Sequence, residues 1–191
     1  TGSRAELDSA LARYQQALAM NDAGSAPLSY AGLKRSIGRA RRLAASLTPD
    51  TTRRREELAR ALEEIHYATA ALDPKEGRVA LAQVWREEAM ILGDLGLLAM
   101  RAEPLVRADS LLEAAAAVFP SGKYPARASV VCYEKGHLAR IHWQIAASEI
   151  DPGRVAAGGR ATGSGAGANS EIYRLRALRE FRDAVEIMPK A

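Results

Sequence analysis

The sequence has one cysteine, few aromatic residues and no long apolar run. Its single cysteine, Cys132, excludes an internal disulfide and a zinc site built from several cysteines. Only 5% of the residues are aromatic, and β-branched residues form no alternating run, so no strand is predicted. No stretch is apolar over the length that a membrane-spanning helix needs, and no basic-then-apolar leader opens the chain. Alanine, leucine, arginine and glutamate are abundant instead, and they favour helix.

Turn signals divide the chain into seven predicted helices. Short segments rich in proline, glycine and aspartate separate them, such as "TPD" at 48–50 and "LDPKEG" at 72–77. The predicted helices cover about 5–20, 28–47, 51–72, 79–101, 104–118, 126–150 and 171–188. The segment 153–170 carries six glycines between Gly153 and Gly167, and it is predicted to be a flexible insertion.

An internal repeat recurs on alternate predicted helices. Each copy has a small, a large and a small residue at positions 0, 4 and 7, which lie on one stripe of a helix. The copies are Ala177-x3-Phe181-x2-Ala184, Ala108-x3-Leu112-x2-Ala115, Ala10-x3-Tyr14-x2-Ala17 and, in degenerate form, Leu62-x3-His66-x2-Thr69. Such a stripe predicts that a neighbouring helix approaches closely at the small residues, with the large residue packed between them.

This pattern resembles the second helix of the tetratricopeptide repeat. Two segments also match the first helix of that repeat: Leu92-x2-Leu95-Gly96-x2-Ala99 and Cys132-x3-Gly136-x2-Ala139. The chain departs from the family in spacing, because its copies recur at intervals of 52, 46 and 69 residues where the family repeats every ~34. The resemblance implies an all-α fold, a right-handed array of antiparallel helical hairpins forming one domain over 1–191. It also leads us to expect that both ends are cuts through a longer array.

The resemblance further implies a protein-interaction scaffold without enzymatic chemistry. A partner segment would lie in a concave groove built mainly from the first helices of the hairpins. Between residues 34 and 60 the chain carries nine basic and three acidic residues, so we expect an acidic protein or peptide as partner. The candidate contact residues are Lys34, Arg35, Arg41, Trp85 and Arg86. No catalytic residue, metal site or cofactor is predicted.

The basic segment 34–60 leaves a second function open. It also fits a nucleic-acid-binding or sensory domain of a regulator. Nucleic acid is the weaker interpretation, because Tyr30 is the only aromatic residue close to this segment and single-stranded binding surfaces usually carry several stacking rings.

A remote alternative is a di-metal carboxylate helical bundle. Such bundles use a Glu-x-x-His motif on each of two helices and a further glutamate on each of two others. The chain has the motif twice, at Glu63/His66 and Glu134/His137. Glu87 or Glu88 and Glu113 could supply the further carboxylates, but the order of the helices is wrong, because the predicted helix 28–47, which precedes Glu63, contains no acidic residue.

The linker between the fifth and sixth predicted helices is relevant to the cellular location of the protein. The segment Phe119 to Tyr124, within "FPSGKYPARA", resembles a link found in repeat lipoproteins of the bacterial cell envelope. An envelope location therefore stays open beside a cytoplasmic one, and the oligomeric state stays open as well.

Overall fold

Seven α-helices and no strand make up the part of the chain that the computed structural model describes, residues 3–150 and 167–187. The helices are α1 Arg4–Leu18, α2 Pro27–Ser46, α3 Thr51–Ala70, α4 Arg78–Ala99, α5 Glu103–Val118, α6 Pro125–Ile150 and α7 Gly167–Ile187. The all-α prediction is confirmed. Helix α7 begins at Gly167, so 167–170 of the predicted insertion are helical, while 153–166 lie outside the described residues.

Local capping chemistry sets several of the helix starts. The Ser3 hydroxyl accepts a hydrogen bond from the Glu6 N–H at 3.3 Å, and the Ser3 N–H donates to the Glu6 carboxylate at 2.7 Å, which forms a capping box for α1. At α3 the Asp50 carboxylate accepts from the Arg53 N–H at 2.7 Å. Helix α2 has Pro27 in its first turn, where the missing N–H costs nothing.

The chain divides into two compact units, Thr1–Ile91 and Leu92–Ala191. The first contains α1, α2, α3 and the beginning of α4, and within it α2 packs against both α1 and α3. The second contains the end of α4 with α5, α6 and α7, and within it α6 packs against both α5 and α7. In each unit, these packed pairs are helices that are consecutive in sequence.

A glycine allows α2 and α3 to approach closely. A β-carbon placed on Gly38 would lie 2.9 Å from Ile65 Cδ1 and 3.1 Å from the Ala61 carbonyl oxygen. Both distances are shorter than ordinary side-chain contacts, so only glycine fits there without a shift of the neighbouring chain.

The buried stripe of α3 is shifted by one position along the sequence from the predicted stripe. Ala61, Ile65 and Ala68 are completely buried, whereas the predicted large residue, His66, has 52% of its side chain exposed. The stripe therefore reads Ala61-x3-Ile65-x2-Ala68, and the predicted register Leu62-x3-His66-x2-Thr69 is wrong. The physical reason is that only the first stripe is fully apolar, so burying it removes more apolar surface from water.

The second unit contains the same kind of contact twice. The predicted stripe Ala108, Leu112 and Ala115 is completely buried on α5. A β-carbon on Gly96 of α4 would overlap Leu105 of α5, and one on Gly136 of α6 would lie 2.8 Å from the ring of Phe181 on α7. Ala177 and Ala184, which flank Phe181, are also buried. By contrast, α1 contains no buried residue, so its predicted stripe is only half covered.

None of the helices in the described ranges is both long enough and apolar enough to cross a membrane.

Candidate interaction surfaces

The basic stripe of α2 is paired with a stripe of glutamates on α3. Lys34 and Arg41 are seven residues apart on α2, and Glu57 and Glu64 are seven apart on α3. Lys34 Nζ lies 2.7 Å from Glu64 Oε2, and Arg41 Nη1 lies 3.4 Å from Glu57 Oε2. The two pairs follow the antiparallel order of the hairpin, so this ion-pair ladder fixes the register of α2 against α3.

The ladder is largely shielded from water. The Lys34 side chain is 12% exposed and that of Glu64 is 18% exposed. Lys34 Nζ also lies 4.7 Å from the centre of the Tyr67 ring and 5.7 Å from that of Tyr30, within reach of cation–π attraction. Arg41 has a second contact, with its Nε 3.8 Å from Glu64.

Two of the candidate contact residues, Lys34 and Arg41, belong to this ladder. Both side chains face α3, where carboxylates of the same chain neutralise their charges. Their segment is basic in composition, but the acidic partners of these two cations lie on the next helix.

The three other candidate contact residues are half-buried. Arg35 on α2 and Arg86 on α4 each have an interaction within the protein. Trp85 on α4 is also only partly buried. Trp85 and Arg86 are consecutive on a helix, so their side chains point about 100° apart.

Arg39 is the cation on α2 that is most open to a partner. Its side chain is 64% exposed, and its Nε reaches Glu87 Oε1 only at 4.0 Å. It lies one helical turn after Arg35, so the two residues share a face of α2. Sequence reasoning did not select Arg39, although its spacing from Arg35 was the available signal.

The two Glu-x-x-His motifs lie in different compact units of the chain. His66 Nε2 lies 3.6 Å from Glu88 Oε1, while Glu63 accepts a hydrogen bond from the Tyr67 hydroxyl at 3.3 Å. The second motif, Glu134/His137, belongs to the other unit, where His137 Nδ1 contacts Arg140. Within the described residues, no group of three or more His, Cys, Asp or Glu side chains is placed to hold a metal ion.

A cluster of charged side chains joins α5 to the α6–α7 hairpin. Asp109 Oδ2 on α5 lies 3.3 Å from His142 Nε2 on α6 and 3.3 Å from Arg176 Nη1 on α7. His142 is 5% exposed, and its ring stacks on Tyr173 with 4.7 Å between ring centres. Its Nε2 is not aligned for a hydrogen bond to Asp109, so the two groups lie close together without forming one.

Lys135 completes this cluster. Its Nζ lies 2.9 Å from Glu113 of α5 and 3.5 Å from Glu180 of α7. Burial acts to lower the pKa of Lys135, but the hydrogen bond to Glu113 and the charge of Glu180 outweigh it and raise the pKa above 10.5. Lys135 is therefore a fixed cation at neutral pH.

Cys132 is half-buried between these helices. Burial, together with the negative charge of Glu180, raises the pKa of its thiol above 9.0. The thiol therefore stays protonated at neutral pH, and its environment does not activate it as a nucleophile.

The α6–α7 hairpin has an uncovered apolar side, here called the α6–α7 apolar face. On α6 it consists of Val130 and Tyr133, which are 42% and 58% exposed. On α7 it consists of Leu178 and Val185, which are 56% and 65% exposed. The Phe181 ring lies between the two rows, 5.5 Å from that of Tyr133. Sequence reasoning missed this face, because one helix pattern does not tell which of two apolar stripes a neighbour covers.

No protein-family model matches this chain, and no curated protein or solved structure is similar to it at a significant level. The assignment of function therefore depends on the surfaces of the chain itself.

Proposed function

We propose that the chain is a non-enzymatic scaffold of helical hairpins that binds an acidic segment of another protein. The observation that supports this function is one contact made three times, in which a glycine of the first helix lies against a large side chain of the second. The contacts are Gly38 with Ile65, Gly96 with Leu105 and Gly136 with Phe181. Repeated hairpins that stack on their nearest neighbours form extended binding surfaces, and a right-handed array of them is part of this proposal.

The binding surface in this proposal is the open face of α2 around Arg39. An exposed guanidinium presents several donors in a fixed plane and suits carboxylates of a partner. Arg35 lies on the same face, and the half-exposed Trp85 of α4 offers an aromatic anchor elsewhere on the scaffold. Lys34 and Arg41 support the surface by holding α2 in register against α3.

The test is a quantitative affinity capture from lysate of the source organism. Wild type is compared with Arg39→Glu and with Arg55→Glu, which makes the same charge change at an exposed position on α3. We expect a discrete protein that Arg39→Glu loses and Arg55→Glu retains, at both low and moderate salt. A set of captured proteins that Arg39→Glu leaves unchanged would remove α2 as the binding surface.

The same experiment distinguishes the protein scaffold from the alternative function, a nucleic-acid-binding regulator. Nucleic acid binding depends on released counterions, so its affinity falls steeply with salt. Recovery of nucleic acid that both Arg39→Glu and Arg55→Glu diminish, and that moderate salt abolishes, would favour nucleic-acid binding over the protein scaffold.

A further inference from the structure

We propose that the exposed face of α2 binds an amphipathic helix of another protein, which presents a branched aliphatic side chain to Gly32 and, two turns away, a carboxylate to Arg39. This inference rests on the proposed function, because it describes the acidic segment that the α2 surface binds. It adds the conformation of that segment and the spacing of its two main contacts.

The exposed face of α2 has an apolar residue near each end and a cation between them. Leu28, Arg39 and Leu43 are 60%, 64% and 40% exposed. Together with Gly32 they lie on one side of the helix, within about 60° of one another at 100° per residue. Arg41, two residues after Arg39, points about 200° away from it and contacts α3. The exposed face is therefore the side of α2 that is turned away from α3.

Gly32 is a helical glycine without a packing reason among the described residues. Four other helical glycines each lie against a side chain of another helix, which an added β-carbon would approach to 2.9 Å or less: Gly38, Gly93, Gly96 and Gly136. At Gly32 no described neighbour lies within 4 Å of that position. The Ser36 hydroxyl, one turn later, donates to the Gly32 carbonyl at 2.8 Å, so its polar group is already bonded. Because glycine inside a helix is less stable than alanine, the open space favours a role for Gly32 in receiving a side chain from outside.

The charges around this face favour a carboxylate. Helix α2 carries five cations and no acidic residue. Three glutamates of α3 and α4 lie within 4.0 Å of these cations, and the buried Glu88 of α4 raises the count to four; the set is Glu57, Glu64, Glu87 and Glu88. Glu57 also lies within 4.0 Å of Arg4 and Arg60, so the cations outnumber the carboxylates. Arg39 is the exposed cation of α2, and its guanidinium suits a carboxylate of the partner.

The α2–α3 contact is the model for how α2 receives a helix. In that contact Ile65 lies against Gly38, and the paired glutamates of α3 are seven residues apart, on one side of their helix. Gly32 and Arg39 are likewise seven residues apart, about 10.5 Å along the axis of α2. An antiparallel partner helix therefore meets both when its carboxylate stands seven residues before its aliphatic side chain. Apolar side chains at the ends of such a face are typical of a surface that takes an amphipathic helix.

The probes are three fluorescein-labelled helical peptides built on one alanine-rich sequence. The first peptide has an isoleucine and, seven residues before it, a glutamate. The second has the glutamate nine residues before the isoleucine, which places it on the opposite side of the helix. The third is the first peptide with lysine in place of the glutamate.

The protein variants change the two proposed contacts separately. Gly32→Leu fills the open space, Gly32→Ala fills it in part, and Arg39→Glu reverses the charge. The matched control is Gly122→Leu in the second unit, because a β-carbon on Gly122 also meets nothing within 4 Å. Circular dichroism checks that every variant keeps its helices.

We expect fluorescence anisotropy to show that wild type binds the first peptide about tenfold or more tightly than the second or the third. Gly32→Leu should weaken binding of the first peptide about tenfold or more, because leucine occupies the space that the isoleucine enters. Gly32→Ala should weaken it less, and Gly122→Leu should leave it unchanged. Arg39→Glu should weaken binding of the first peptide and bind the third more tightly than wild type does.

The outcomes separate this inference from the proposed function. Equal binding of the first and second peptides, with Arg39→Glu weakening both, overturns the helix and its spacing but leaves recognition of an acidic segment. The same holds if Gly32→Leu binds the first peptide as well as wild type, or no better than Gly122→Leu, while Arg39→Glu binds it weakly. Absence of binding to any peptide overturns the inference. If Arg39→Glu neither changes peptide binding nor loses a captured protein, the proposed function fails together with it.

Discussion

Lys34 Nζ lies 2.7 Å from Glu64 Oε2, and this contact converts a cation of the basic segment into part of the α2–α3 interface. Most of each side chain is shielded from water, so removing one partner would leave the other charge largely buried and uncompensated. It also explains why charge counting along 34–60 overstates the positive charge that a partner meets.

The ladder predicts a difference between two neighbouring glutamates on α3. Glu64→Gln leaves Lys34 without a charged partner and should reduce the free energy of unfolding by about 1–3 kcal/mol. Glu63→Gln removes only an exposed contact with Tyr67 and should change that free energy by less than about 0.5 kcal/mol. Urea unfolding of the two variants measures the difference, and equal effects would refute a structural role of the ladder.

Replacing each of two glycines of α2 with alanine should change the stability of the protein in opposite directions. Gly32→Ala places its methyl group where nothing lies within 4 Å, so the better helix propensity should stabilise the protein by about 1 kcal/mol. Gly38→Ala places the same group against Ile65 and the Ala61 carbonyl and should destabilise it by about 1–3 kcal/mol. Thermal unfolding followed by circular dichroism gives both signs. If both changes stabilise, α2 and α3 are not in close contact at Gly38.

Met100 offers a stabilising change at the end of α4. Its φ is 51°, in the left-handed region, and the Arg101 N–H donates to the Gly96 carbonyl at 2.9 Å, so the helix ends in a Schellman motif. Met100→Gly should raise the free energy of unfolding by about 1 kcal/mol, because glycine adopts this φ without steric cost. Ala99→Gly, one residue earlier and inside the helix, should lower it instead. Denaturant titration of both variants is the check.

The helix boundaries could be predicted because their causes are local in sequence. Asp50 caps α3 and prolines open α2, α5 and α6, and these signals involve only the few residues around each turn. The predicted bounds therefore agree with the observed ones to within a few residues.

The register of α3 could not be read from its spacing alone. The stripes starting at Ala61 and at Leu62 have the same 0, 4, 7 spacing and lie about 100° apart on the helix. The predicted register took the stripe that starts at Leu62, whereas burial follows the apolar content of Ala61, Ile65 and Ala68.

The ion pairs of two candidate contacts could not be predicted, because they depend on how the helices pack against each other. The sequence of α2 alone shows Lys34 and Arg41 as cations without acidic partners. Their partners, Glu64 and Glu57, are 30 and 16 residues further along the chain. Only the antiparallel packing of α2 on α3 brings these charges together. The openness of Arg39 has the same origin, because it is set by the sides of α2 that its neighbours leave uncovered.

The raised pKa of Lys135 predicts how the stability of the protein depends on pH. Its pKa is raised in the folded protein, so its contribution to stability is fully present below the unfolded value of about 10.4 and is lost as the pH rises through the higher folded value. Lys135→Gln should therefore cost about 1–3 kcal/mol at every pH from about 6 to 9, and this cost should shrink above about pH 10.4. The measurement is the difference in unfolding free energy between wild type and variant across that range. A cost that changes between pH 6 and 8 would point to a different titrating group.

The repeated glycine contact is the central structural claim, and a double-mutant cycle at Gly136 and Phe181 tests it most directly. Gly136→Ala forces a β-carbon to within 2.8 Å of the Phe181 ring, so it should destabilise the protein by about 1–3 kcal/mol. Phe181→Leu removes the ring atoms that this β-carbon meets. The account predicts that the double variant loses less stability than the sum of the two single losses, by at least about 0.5 kcal/mol. Additive losses within about 0.3 kcal/mol would contradict it, because the glycine and the ring would then not be in contact.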